Sequence, residues 1–202
     1  TDGWIYDLVV NPLNCDGVYA ATSAGGMFKS LNGGGNWFSV NTGLGDLKTH
    51  ALALTPGQAD RLVVGTTNGV YVTENGAGSW RNTGSLPAGT VDALMVAQTN
   101  PARVYAGGNY AGLYRTDDAG VHWYGLTLTA ASIRSLAGDS AYPGLIYAGS
   151  DAGGVFRSLD GGGTWQAYAD GLGQLGVKAL LANTACGAVL AGATNGVWYR
   201  DN

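Results

Sequence analysis

An eight-residue segment recurs at a near-fixed period along this chain. Ser30 to Trp37 reads SLNGGGNW, Thr73 to Trp80 TENGAGSW, Thr116 to Trp123 TDDAGVHW and Ser158 to Trp165 SLDGGGTW, with first residues 43, 43 and 42 apart. A period of that size marks stacked equivalent units, each unable to bury its apolar face alone. Asn32, Asn75, Asp118 and Asp160, at the third place, are acceptors for backbone amides two residues on, and the hydroxyl at the first place is a weaker one. The segment therefore predicts a tight turn. Gly34, Gly120 and Gly162 at the fifth place supply positive φ, whereas Ala77 predicts a slightly different second turn. Each closing Trp is an apolar anchor between sheet layers, with one donor to satisfy.

Further columns appear between the segments. Runs starting at Ile5, Thr49, Val91, Ile133 and Val177 each place Leu three residues on and predict short buried first strands. Second strands follow around Tyr19, Val63, Tyr105, Tyr147 and Leu190, and third strands as GMFKS, GVYVT, GLYRT, GVFRS and GVWYR. A fourth strand is expected to begin at each Trp. The sequence reaches Asp201 and Asn202 where a fifth segment would stand, so the fifth unit is expected to lack its outer strand.

The segment resembles the Asp-box, or BNR, repeat, Ser/Thr-x-Asp-x-Gly-x-x-Trp, and the resemblance covers nearly the whole chain. Sialidases, xyloglucanases, sortilin-type receptors and photosystem II assembly-factor propellers carry that repeat between the third and fourth strands of a β-propeller blade. The resemblance implies an all-β, five-bladed propeller forming a single domain over 1–202, with repeats of about 5–48, 49–90, 91–132, 133–176 and 177–202. It implies little about activity, because one fold hosts unrelated functions.

Composition narrows the function. The 202 residues include 35 Gly and only 12% charged residues, which fits a turn-rich β protein. A net charge of −4, with three Lys and seven Arg scattered along the chain, argues against a nucleic-acid groove or an anionic membrane surface. No apolar run approaches the ~20 residues of a spanning helix. Two Cys and two His give no metal-ligand spacing, and no cofactor is expected. Thr1 in place of an initiator Met fits a processed secretory protein, a fragment or a trimmed chain. Cys15 and Cys186 share one place in the first-to-second-strand turns of repeats one and five, which become neighbours if a ring closes. A disulfide between them is the expectation, two buried free thiols the alternative.

Propeller geometry brings the starts of the first strands and the turns between second and third strands to one face, where the family's ligand sites favour the axis. There the residue one past each first-strand start forms a polar column: Tyr6, His50, Asp92, Arg134 and Lys178, with Asn109, Tyr110 and Asp151 on the rim. The column is either an asymmetric binding mouth or a set of interblade ion pairs with Tyr6 and His50 as packing. For a glycosidase, two of Asp7, Asp92 and Asp151 would have to stand ~5–9 Å apart. Glu74, the only Glu, falls on the opposite face and reads as a solvated turn residue. The reading is an extracytoplasmic propeller without catalytic activity that engages a partner protein. The alternatives are a lectin-like module, with small polar residues at Ser23, Thr67, Asn109, Asp151 and Thr194 and aromatic platforms at Tyr124 or Tyr168, or the remnant of a glycoside hydrolase propeller.

Overall fold

The computed structural model describes residues 3–201 apart from 85, 87, 88, 110, 111, 129–131, 169–171, 173, 174 and 184–187. The described residues form five antiparallel sheets and no helix. The first sheet runs Ile5–Val10, Val18–Thr22, Met27–Ser30 and Phe38–Ser39 in spatial as in chain order, and three further sheets repeat that four-stranded order. The fifth has three strands, Val177–Asn183, Ala188–Ala193 and Gly196–Asp201. The outer strands are two residues long and start one residue after each Trp, so the Trp belongs to the turn.

All four octapeptides form one turn. Ser30 Oγ donates to Asn32 Oδ1 at 2.9 Å and accepts the Gly34 amide at 2.9 Å, while Asn32 Oδ1 accepts the Asn36 amide at 2.8 Å. The third-place oxygen thus reaches an amide four residues on, not two, and Asn75, Asp118 and Asp160 do the same. Nor is the second turn different. Its Ala77 adopts φ 69°, beside 94° for Gly34 and 91° for both Gly120 and Gly162. The fourth-place amide of each turn bonds back to the first-to-second-strand turn of its own sheet: Gly33 to Asp16, Gly76 to Asp60, Ala119 to Ala102 and Gly161 to Gly144. These turns therefore lie at the end of each sheet opposite the first-strand starts.

Apolar clusters fill the space between successive sheets. Tyr19, Ala21 and Met27 of the first pack on Leu52, Leu62, Val64 and Trp80 of the second, and equivalent residues pack the next three junctions. Trp80 sits 5% exposed with its indole NH on the Val40 carbonyl of the neighbouring sheet, whereas Trp37 and Trp165 bond within their own turns. Polar keys reinforce the packing. Lys29 Nζ reaches the Gly76 carbonyl at 2.9 Å, Arg61 Nη1 the Pro101 carbonyl at 2.6 Å, and Tyr105 Oη with Arg115 Nη1 the Gly161 carbonyl at 2.9 and 3.1 Å. Arg61 also pairs with Glu74 at 3.0 Å, which leaves that carboxylate exposed on a turn as expected.

At the two ends of the array the sequence expectation needs correction. The first strand of repeat one was expected to be buried, but Leu8 and Val10 are each 53% exposed, against 4% for the equivalent Leu52. The reason is geometric: each first strand packs on the next, from the first sheet through to the fifth, yet the fifth sheet's Val177–Asn183 does not pack on Ile5–Val10. The first strands of repeats one and five thus lack, among the described residues, the packing that joins each other successive pair. Cys15 is a free, exposed thiol, and its expected partner Cys186 lies outside the described residues.

Candidate functional site

The five residues of the polar column share one local backbone feature. Pairing between the first and second strands is interrupted between Ile5 and Asp7, between Thr49 and Ala51, between Val91 and Ala93, between Ile133 and Ser135, and between Val177 and Ala179. Each interruption leaves one residue without a cross-strand partner: Tyr6, His50, Asp92, Arg134 and Lys178. A bulge of this kind bends the strand and re-aims a side chain out of the alternating pattern. Here it does so in every repeat, at the first-strand start where the sheets converge.

The bulged side chains meet around a hollow of about 340 Å³ lined by Tyr6, His50, Thr90, Asp92, Asn109, Arg134 and Lys178. Arg134 is its centre, with Nη1 on Asp92 Oδ2 and Nε on Asp151 Oδ2, both at 2.6 Å. Lys178 Nζ closes on Asp151 Oδ1 at 2.5 Å. On the other flank His50 Nδ1 lies 3.4 Å from Asp92 Oδ1, and the His50 ring stacks on Tyr6 with centroids 4.8 Å apart. One connected network therefore crosses all five repeats. Asn109 joins from the rim, its Oδ1 accepting the Ser132 hydroxyl at 3.1 Å, and Tyr110 lies outside the described residues.

Burial and charge set the protonation pattern. Burial pushes the Asp92 carboxyl above its usual range, more than the attraction of Arg134 and His50 offsets. Asp151 is desolvated too, but hydrogen bonds from Lys178 and Arg134 prevail and hold it below that range. His50 is pushed down, chiefly by burial, with Asp92 pulling the other way. Two carboxylates thus face one guanidinium and one ammonium, and the cluster is close to neutral while His50 is uncharged. Lys178 is the most accessible ion of the network, with its side chain 58% exposed.

The column residues line one hollow, and the ionic ones among them pair between sheets. Asp7, the third candidate carboxylate, has a different role. Its Oδ2 accepts the Leu52 amide and its Oδ1 the Leu8 amide, both at 2.8 Å, so it ties the first two sheets together, and burial raises its pKa. Of the aromatic platforms, Tyr124 is 54% exposed, but Tyr168 is 5% exposed between the Arg157 and Arg200 guanidinium groups. Sequence reading missed Thr90, which precedes the Val91 strand in a column, Trp4, Lys48, Thr90, Ser132 and Gly176, that is polar in only three repeats.

A second hollow, of about 640 Å³, opens at the turn end of the fourth sheet beside Tyr142, Pro143, Arg157 and Leu159. Beside the third sheet the fourth octapeptide stands in the corresponding place, its Gly161 carbonyl gripped by Tyr105 and Arg115.

No protein-family model matches the sequence, and no curated protein matches it either. Solved structures do. The chain is similar to the GH74 xyloglucanase from Xanthomonas campestris at 19% identity with a TM-score of 0.82, over 98% of this chain and 36% of that one. An ancestral GH74 enzyme aligns at 23% identity and a TM-score of 0.78, over 95% and 27%. The extracellular domain of a one-component system from B. thetaiotaomicron aligns at 22% and 0.76, over 98% and 26%. The chain therefore spans about a quarter to a third of the structures it matches. No helix among the described residues is long and apolar enough to cross a membrane. At these identities the likeness speaks to architecture alone, and that architecture is a β-propeller.

Proposed function

We propose that this chain is a non-catalytic, extracytoplasmic binding propeller of five Asp-box blades that engages a partner protein through its axial mouth. One observation carries the reading: five bulges in register aim five unlike polar side chains into one hollow. A symmetric scaffold needs only packing residues to hold its sheets together, and repeated packing would favour one residue type at each equivalent place. Five different polar types give the mouth an asymmetric pattern that a partner can read. Asp92 and Asp151 both pair with Arg134, and Asp151 also with Lys178, an arrangement that supports a binding role. The likeness to the extracellular domain of a one-component system supports the location.

A second reading rests on Tyr6, which is 53% exposed while stacked on His50. A half-open aromatic ring beside a nearly neutral hydrogen-bonding cluster also suits a glycan. Affinity capture from the source extract and a glycan array, each run with wild type and with Tyr6→Ala and Lys178→Ala, separate the two. The proposal expects a protein captured by wild type and lost in Lys178→Ala. Glycan binding lost in Tyr6→Ala supports the second reading. Capture that survives both substitutions overturns the mouth as the site.

A further inference from the structure

The ionic network of the mouth is close to neutral, but the part of it that borders the hollow is not. Asp92, Arg134 and Lys178 line the hollow, whereas Asp151 stands outside that wall. With His50 uncharged, one carboxylate there faces a guanidinium and an ammonium, an excess of one positive charge. Exposure points the same way. The Asp92 side chain is 12% exposed, Arg134 26% and Lys178 58%, so an entering group meets the cations first.

Hydrogen-bonding capacity is skewed in the same direction. Asp151 places one oxygen on Lys178 and the other on Arg134, and Asp92 places one on Arg134 and the other beside His50. In those bonds among the described residues, Arg134 uses two of its five N–H donors and Lys178 one of its three. Asn109 Oδ1 accepts the Ser132 hydroxyl, which leaves the amide NH2 as its donor, and Thr90 adds a hydroxyl to the wall. Donors thus outnumber acceptors, the complement of a carboxylate. The same wall carries the Tyr6 ring, held by its stack on His50 at an interplanar angle of 14° and suited to packing against a second ring.

We infer, resting on the mouth as the binding site, that it takes an aromatic carboxylate, with the charge at Arg134 and Lys178 and the ring against Tyr6. At about 340 Å³ the hollow has the volume of roughly a dozen waters, which admits one small acid or the last residue of a chain and excludes a folded domain. Two sources share this chemistry. A free aromatic acid carries ring and carboxylate in one molecule, and a partner protein that ends in Phe, Tyr or Trp carries them in one residue.

An NMR titration of the full 202-residue chain with phenylacetate tests this, beside phenylacetamide, phenethylamine and acetate, which remove the charge, reverse it or remove the ring. Phenylacetate is expected to shift the amides of Tyr6, Arg134 and Lys178 with a Kd on the order of 1 mM, the weak binding of a ligand this small. Each analogue should bind at least tenfold more weakly. Lys178→Ala should weaken phenylacetate at least tenfold, with Lys178→Gln in its place should the first variant fail to fold, and Tyr6→Ala should bring phenylacetate down to the level of acetate. A short peptide ending in Phe, compared with its C-terminal amide, separates the sources: binding at least tenfold tighter than phenylacetate and lost in the amide assigns the ligand to a protein end, and binding no tighter than phenylacetate assigns it to a free acid. Phenethylamine or phenylacetamide binding as well as phenylacetate, no shift with phenylacetate or the peptide, or undiminished binding in both Lys178 variants overturns the aromatic carboxylate. Lys178-dependent capture of a protein alongside any of those results keeps the mouth as the site and overturns its ligand class alone. Carboxylate binding lost in the Lys178 variants, alongside capture that survives them, keeps the ligand class and overturns the mouth as the protein site.

Discussion

Arg134 donates to Asp92 at 2.6 Å across the junction between the third and fourth sheets. The Asp92 side chain is only 12% exposed, so its carboxylate depends on that guanidinium more than the guanidinium depends on it. Arg134→Ala should therefore destabilise the protein by roughly 1–3 kcal/mol, the range for stranding a buried polar or charged group. Asp92→Asn should have a smaller effect, because Arg134 keeps Asp151. Urea denaturation of both single variants and the double variant measures the coupling, expected at ~0.5–3 kcal/mol for groups in one network. Additive effects would mean that the pair does not tie the sheets.

Much of this organisation was legible in the residues. Four octapeptides and five aligned first strands predicted the sheets and their order, because turn chemistry and strand alternation are local. The column of Tyr6, His50, Asp92, Arg134 and Lys178 was legible as a column. The bulge that aims it was not, since an unpaired residue is defined only by the strand opposite. Nor could the sequence say that Leu8, which matches Leu52 in its repeat, would face solvent: burial depends on the sheet behind it.

The third-place residue of the octapeptide predicts an acid response confined to two turns. Hydrogen bonds from the Thr164 amide and hydroxyl and from Ser158 hold Asp160 down to about 2, from 3.8. Asp118 is held below its usual range by the His122 amide, with Thr116 and the His122 ring adding to it. Both folded pKa values are depressed, so this stabilisation is present above the unfolded pKa and lost as pH falls from about 4 through about 2. Asn32 and Asn75 make the same amide bonds and do not titrate. The double variant Asp118→Asn, Asp160→Asn should thus lose less melting temperature between pH 5 and pH 2 than wild type. Superimposable pH profiles would show that the turns contribute nothing to acid stability.

Two alanines in the left-handed region offer a paired test of strain. Ala119 has φ 60° and is half-buried, while Ala77 has φ 69° and is 1% exposed within the cluster between the first two sheets. An L-residue in this region costs ~1–2 kcal/mol, and glycine relieves that at the expense of ~0.5–1 kcal/mol of unfolded-state freedom. Ala119→Gly should therefore stabilise by about 0.5–1 kcal/mol. At Ala77 the same relief is offset by loss of a buried methyl, ~0.8 kcal/mol, so Ala77→Gly should be close to neutral. Chemical denaturation that ranks the two the other way round would show that strain is not what separates them.

The mouth itself should report its electrostatics through His50. Burial lowers its pKa below 6.5, the negative charge of Asp92 raises it, and Arg134 lowers it again. The ring is held against Tyr6 on one side and lies 3.4 Å from Asp92. An NMR titration of the imidazole carbons should therefore give a midpoint below 6.5 in the wild type. Asp92→Asn removes the favourable charge and should move the midpoint further down, whereas Lys48→Ala, which removes a repulsive one, should move it up. Because the folded pKa is depressed, neutral His50 contributes stability that is present above 6.5 and lost as pH falls through the folded midpoint. Melting temperature should fall over that window in the wild type and less so in His50→Gln, which cannot titrate. A midpoint at or above 6.5 would mean that the attraction of Asp92 outweighs the burial of the ring.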